Sequence, residues 1–141
     1  MFNRNFRLFI QFLNENQVRY LVVGSYAATL HGFPRRLKNL EIWVEASPGN
    51  ARRMAAVIEK LGLVSLSLEE SDFQLEDRII QIDFSPKCRA ILNTLNEIEF
   101  GACFEKRVQK KADEMTVDVI PLEHLRINKS NLWVVTGLGR R

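Results

Sequence analysis

Apolar side chains recur at three- and four-residue spacings at the start of the chain. Phe2, Phe6, Phe9, Ile10 and Leu13 therefore share one face of a predicted helix that the polar run Asn14 to Gln17 ends. The short apolar run Tyr20, Leu21, Val22, Val23, closed by Gly24, predicts a buried strand. Gly24-Ser25 opens a second short helix, Tyr26 to His31, which Gly32 and Pro34 stop. A basic loop, Arg35 to Lys38, leads into a strand from Leu40 to Val44. Ser47 is placed to cap a third helix with Pro48 at its first position. Ala51, Met54, Ala55, Ile58 and Leu61 form its apolar face, and Gly62 ends it.

Beyond Gly62 the pattern is less regular. Leu63 to Leu68 fits a strand, and the acidic residues 69–77 fit a loop or short turn. Arg78 to Phe84 alternates as a strand, with Ile80 and Ile82 on one face, Asp83 on the other, and Pro86 closing it. Ile91 to Leu95 fits a short helix and a loop equally well. Segments 107–110 and 116–120 predict a hairpin around Ala112-Asp113-Glu114, and Pro121 starts a helix to about Asn128. The alternation of helices and strands predicts an α/β (α+β) domain with a small mixed sheet flanked by helices.

With 141 residues, 46% apolar and 26% charged, the chain is long enough for one domain with one core. No run of 18 apolar residues occurs, so the sequence predicts no membrane partner. Arg4, Arg7 and the polar run at 14–17 do not fit a signal peptide. Two cysteines, Cys88 and Cys103, suit a reducing cytoplasm rather than a disulfide scaffold. The net charge of +3 divides unevenly. Residues 1–45 carry six basic and three acidic side chains, residues 46–100 six and nine, and residues 101–141 eight and five. Basic ends around an acidic middle are compatible with a phosphate-bearing ligand, although most such patterns are solvated faces.

The chemistry concentrates in three places. Gly24-Ser25, where a strand turns into a helix, offers backbone amides and a hydroxyl to a phosphate. Asn39 and Glu41 are two apart, so their side chains leave one strand on the same face. Asp83 lies at a similar register on a separate strand, and neighbouring strands would bring the three oxygen donors within reach of Mg²⁺. Arg35, Arg36 and Lys38 fit a triphosphate contact or a solvated loop.

These residues resemble the signature of the nucleotidyltransferase-fold superfamily, which includes DNA polymerase β. That signature is an apolar residue, Gly, Gly or Ser, a spacer, Asp-x-acid, and a third acid on a later strand. Val23-Gly24-Ser25 matches its start, Asn39-Leu40-Glu41 occupies its middle, and Ile82-Asp83-Phe84 looks like its third part. The text from Tyr20 to Val44, with Pro48 to Leu61 behind it, is similar to small bacterial nucleotidyltransferases related to abortive-infection and toxin–antitoxin proteins.

The resemblance covers about residues 5–129 and implies a nucleotidyltransferase-like domain over 1–129 with an atypical tail at 130–141. It implies Asn39, Glu41 and Asp83 as catalytic and metal ligands. Gly24, Ser25, Arg35, Arg36 and Lys38 would bind the nucleotide. It also implies Mg²⁺ or Mn²⁺ as cofactor, an NTP as substrate, and a hydroxyl on RNA, protein or a small molecule as acceptor.

Two departures from the pattern bear on activity. Asn39 removes a full negative charge from the first acid position, and Glu41 carries its carboxylate ~1 Å further out than Asp would. The tail, with Leu132, Trp133, Val134 and Val135, offers an apolar segment for self-association. The residues thus support an enzyme transferring NMP from an NTP. They also support a degenerate nucleotidyltransferase fold that binds a nucleotide, a nucleic acid or a partner protein without turnover. Asn39 is the residue that separates the two.

Overall fold

Asn3 accepts the Phe6 amide at 2.9 Å and so caps α1 (Arg4–Glu15), whose Phe6, Phe9, Ile10 and Leu13 are buried as their spacing requires. A computed structural model describes residues 1–62, 68–85 and 88–125 of the chain. After α1 come β1 (Tyr20–Val23), α2 (Gly24–Leu30), β2 (Leu40–Glu45) and α3 (Pro48–Lys60). Ser47 caps α3 through the Asn50 amide, as the Ser-Pro start predicts. A 3₁₀ turn at Glu70–Phe73 precedes β3 (Ile79–Ser85) and β4 (Cys88–Leu95). Then follow α4 (Glu97–Glu105), β5 (Val108–Ala112) and β6 (Met115–Val119). A helical turn at 122–125 closes the described part.

The six strands form one mixed sheet in the order β3-β4-β2-β1-β6-β5. β1 is antiparallel to β2 and parallel to β6, and β2 is parallel to β4. Two antiparallel hairpins, β3–β4 and β5–β6, lie at the two ends. Tyr20, Val22, Leu40, Ile42, Ala90, Leu92, Ile80 and Ile82 share one face and are buried across four strands. Helix α1 covers this face where Phe6 and Phe9 meet the Phe84 ring at 6.0 and 5.9 Å. On the opposite face Leu21 and Trp43 are buried too, and α4 packs against β2. Toward β3 that second face opens.

Two elements differ from the sequence pattern. Residues 88–95 are one continuous strand rather than a short helix or loop, and 97–105 form a helix that the pattern did not single out. β4 sits between two other strands, so its apolar positions do not alternate and the period-2 signal is lost. Helix α4 is apolar on more than one face, which hides its 3.6-residue period, although Asn96 caps it through the Glu99 amide. The predicted hairpin at 108–119 is present, with Asp113 and Glu114 at its turn in the left-handed region. The strand expected from Leu63, the closing Pro86, the helix end near Asn128 and the 130–141 tail lie outside the described residues.

Candidate functional site

The open part of the second sheet face is set by strand register. Val23 pairs with Glu41, Glu41 with Ile91, and Ile91 with Gln81, so these side chains form one row across four strands. Directly paired residues project to the same face. One row toward the start of β2, Arg89 is paired with Asp83, and continuing the β2–β4 register sets Asn39 beside Arg89. Asn39, Glu41, Arg89 and Asp83 therefore share a face, as the two-residue spacing of 39 and 41 predicts.

Asp83, however, is not beside β2. The strand next to β2 is β4, and β3 lies one strand further out, about 10 Å from β2. This corrects the expectation that neighbouring strands carry the three donors. The β4 residues at the register of 39, 40 and 41 are Arg89, Ala90 and Ile91, none of them an acid. Asp83 is exposed and spends its carboxylate on Arg89, whose Nε lies 2.7 Å from Oδ1, and on the Gln81 amide at 3.2 Å. The hydrogen bond from Arg89 holds the Asp83 carboxyl below the usual carboxylate range.

Glu41 is in the opposite situation. Its carboxylate is half-buried and makes no hydrogen bond or ion pair among the described residues, and burial pushes its pKa up. It lies over Gly24. A methyl group built there would come within 2.8 Å of Glu41 Cδ and overlap its Oε2. Gly24 also takes φ +71°, in the left-handed region. The glycine is thus required twice, by backbone conformation and by the close approach of Glu41. The strand-to-helix turn at Gly24-Ser25 is where the sequence puts it, but a carboxylate covers its backbone.

The remaining candidates fall in two groups. Arg35, Arg36 and Lys38 are exposed in the loop between α2 and β2 and form no ion pair among the described residues. His31 caps α2 and its Nε2 lies 2.7 Å from the Ile120 carbonyl, which ties α2 to the end of β6. Arg107 is partly buried. It stacks at 3.9 Å on the Phe104 ring, whose distance to Arg19 is 4.3 Å, and lies 3.4 Å from Asp118.

Arg89 is the site residue that sequence reasoning missed. Recognising 88–95 as a strand beside β2 would have found it. Among the described residues no three His, Cys, Asp or Glu side chains are grouped to hold a metal ion. The polar groups on this face are two carboxylates, Glu41 and Asp83, the amides of Asn39 and Gln81, and the Arg89 guanidinium. Asp83 is tied to Arg89 on the strand beyond β4, which leaves Glu41 as the one carboxylate here without a partner among the described residues, a poor fit to a divalent cation.

The overall arrangement is similar to a known one. The chain matches the crystal structure of a putative nucleotidyltransferase from Thermotoga maritima with a TM-score of 0.62 and 12% sequence identity. The match spans 94% of this chain and 85% of that one. The two chains share a fold. No family model matches the sequence, and no curated protein matches it. Within that fold the row at 39, 41 and β4 is the open end of the sheet, beside the strand-to-helix turn. No helix among the described residues is long and apolar enough to cross a membrane.

Proposed function

We propose that this chain is a nucleotidyltransferase-fold binding protein that does not carry out metal-dependent NMP transfer. The observation that supports this reading is the strand beside β2, which sets Ile91 against Glu41 and carries Arg89 rather than an acid on the same face. A two-metal transfer needs several carboxylates converging on the cations to align the phosphate and stabilise the leaving group. Here one carboxylate, Glu41, stands alone over Gly24, and Asp83 is held by Arg89 on an edge strand. Glu41 also sets a negative charge at the turn where a phosphate would sit, so metal-free phosphate binding at Gly24-Ser25 is opposed by Coulomb repulsion.

The test is label transfer from α-labelled NTPs with Mg²⁺ or Mn²⁺ and a mixed RNA and protein acceptor pool, alongside a Mn²⁺ titration followed by water-proton relaxation. The expected result is no transfer and no saturable Mn²⁺ site. Metal-dependent transfer that disappears in Glu41→Gln would overturn the proposal.

A further inference from the structure

Residues 32–38, between α2 and β2, are seven consecutive exposed positions carrying three cations and no acid. The backbone at their start is fixed. Gly32 takes φ +94°, and the amides of Gly32 and Phe33 donate to the carbonyls of Thr29 and Ala28, each at 2.9 Å. This pattern of bonds ends a helix in a defined geometry and normally tucks the following apolar side chain against the last turn. The Arg35 amide adds a bond to Thr29 Oγ1 at 3.3 Å. Phe33, held between these anchors, nonetheless leaves 45% of its surface in water, and Leu37 leaves 37%.

The cations are equally uncommitted. Arg19, Arg78, Arg89 and Arg107 each take an acidic partner, whereas Arg35, Arg36 and Lys38 take none among the described residues. An aromatic ring on an anchored backbone, with free cations two, three and five residues on, combines a stacking surface with an electrostatic track. Single-stranded nucleic acid is the ligand with the matching pair of features, an unstacked base face and a run of phosphates. Arg35 and Lys38 can stand up to about 10 Å apart along the chain, which a run of phosphates matches better than a single one.

We infer that loop 32–38 is a contact surface for single-stranded nucleic acid, with a base on Phe33 and phosphates on Arg35, Arg36 and Lys38. The inference rests on the binding role proposed above and supplies its ligand class. It leaves the covered turn at Gly24 unused.

Fluorescence anisotropy with labelled RNA and DNA single strands of about 15 nucleotides tests it. The titrations would run between about 50 and 200 mM salt, with a duplex of equal length and ATP as competitors. The single strand should bind best, and Phe33→Ala should weaken it about tenfold. The triple variant Arg35→Ala/Arg36→Ala/Lys38→Ala should also flatten the log K against log salt slope by about 2. Because all four side chains are exposed, the thermal midpoints of the variants should match the parent's, which separates lost contact from lost fold. No binding at low salt, binding unchanged in both variants, or displacement by ATP and duplex as readily as by single strand would each refute the inference. None of those results would alter what the transfer assay and the Mn²⁺ titration say about the row at Asn39 and Glu41.

Discussion

Replacing Glu41 by Gln should stabilise the protein at neutral pH, because the native carboxylate is half-buried over Gly24 with no partner among the described residues. Gln keeps the shape and removes the charge. The Gln amide is still a half-buried polar group, so what is relieved is only the extra cost of the charge, which at partial exposure is on the order of 1 kcal/mol. For a chain of 141 residues that corresponds to a midpoint rise of about 3 °C.

The pH dependence carries a definite sign. Burial raises the folded-state pKa of Glu41 above the unfolded value of about 4.3. Below the unfolded value both states hold the proton and the penalty is absent. As the pH rises through the unfolded and then the raised folded value, the parent loses stability that Glu41→Gln retains. Thermal denaturation of both proteins at pH 4 and pH 7.5 measures the difference. Equal midpoints at pH 7.5, or a gap as large at pH 4, would show that the Glu41 charge is compensated and that the reasoning fails.

Gly24→Ala should destabilise the fold by more than the ~1 kcal/mol that a left-handed residue costs, because its methyl group displaces Glu41. A double-mutant cycle with Glu41→Ala should recover the excess and leave only the backbone cost. Asp83→Asn should shift the midpoint by no more than about 1 °C at neutral pH, since its ion pair with Arg89 is exposed. The pair's contribution is present above the unfolded pKa of Asp83 and fades as the pH falls through its lowered folded value, so the two proteins should converge in acid. Asn39→Asp alone should gain no saturable Mn²⁺ binding by water-proton relaxation, because it adds one carboxylate near Glu41 while Asp83 stays tied to Arg89 on the strand beyond β4. Binding gained by that single change would show that Arg89 does not close the site.

The first half of the fold was legible because its elements are local and each carries its own punctuation. Asn14 to Gln17 ends α1, Gly24 breaks β1, Gly32 and Pro34 stop α2, and Ser47-Pro48 starts α3. The turn at Gly24-Ser25 and the shared face of 39 and 41 follow from the same local rules. The position of Asp83 does not. An acid between Ile82 and Phe84 looks purposeful in sequence, yet β3 simply alternates, with Ile79, Gln81 and Asp83 out and Ile80 and Ile82 in. What decides whether Asp83 meets β2 is strand order, and strand order depends on recognising β4. Cys88 to Leu95 is buried among other strands and lacks an alternating pattern, so the information that locates the site is not local.

The same topology separates the charged groups of this face from the core. The core depends on the face bearing Val22, Leu40, Ile42, Ala90, Leu92 and Ile82, all buried, whereas positions 39, 41, 89 and 83 lie on the other side of the sheet. Substitutions there change charge without creating cavities, so their effect on stability is set by local pairing rather than packing. Arg89 pairs with Asp83 at the surface and asks nothing of the core. An acid at position 39 would add charge to this face without altering strand order, which keeps Asp83 one strand beyond β4 and bonded to Arg89. Position 39 is therefore one of two determinants of the charge on this face, and the Arg89–Asp83 pair is the other.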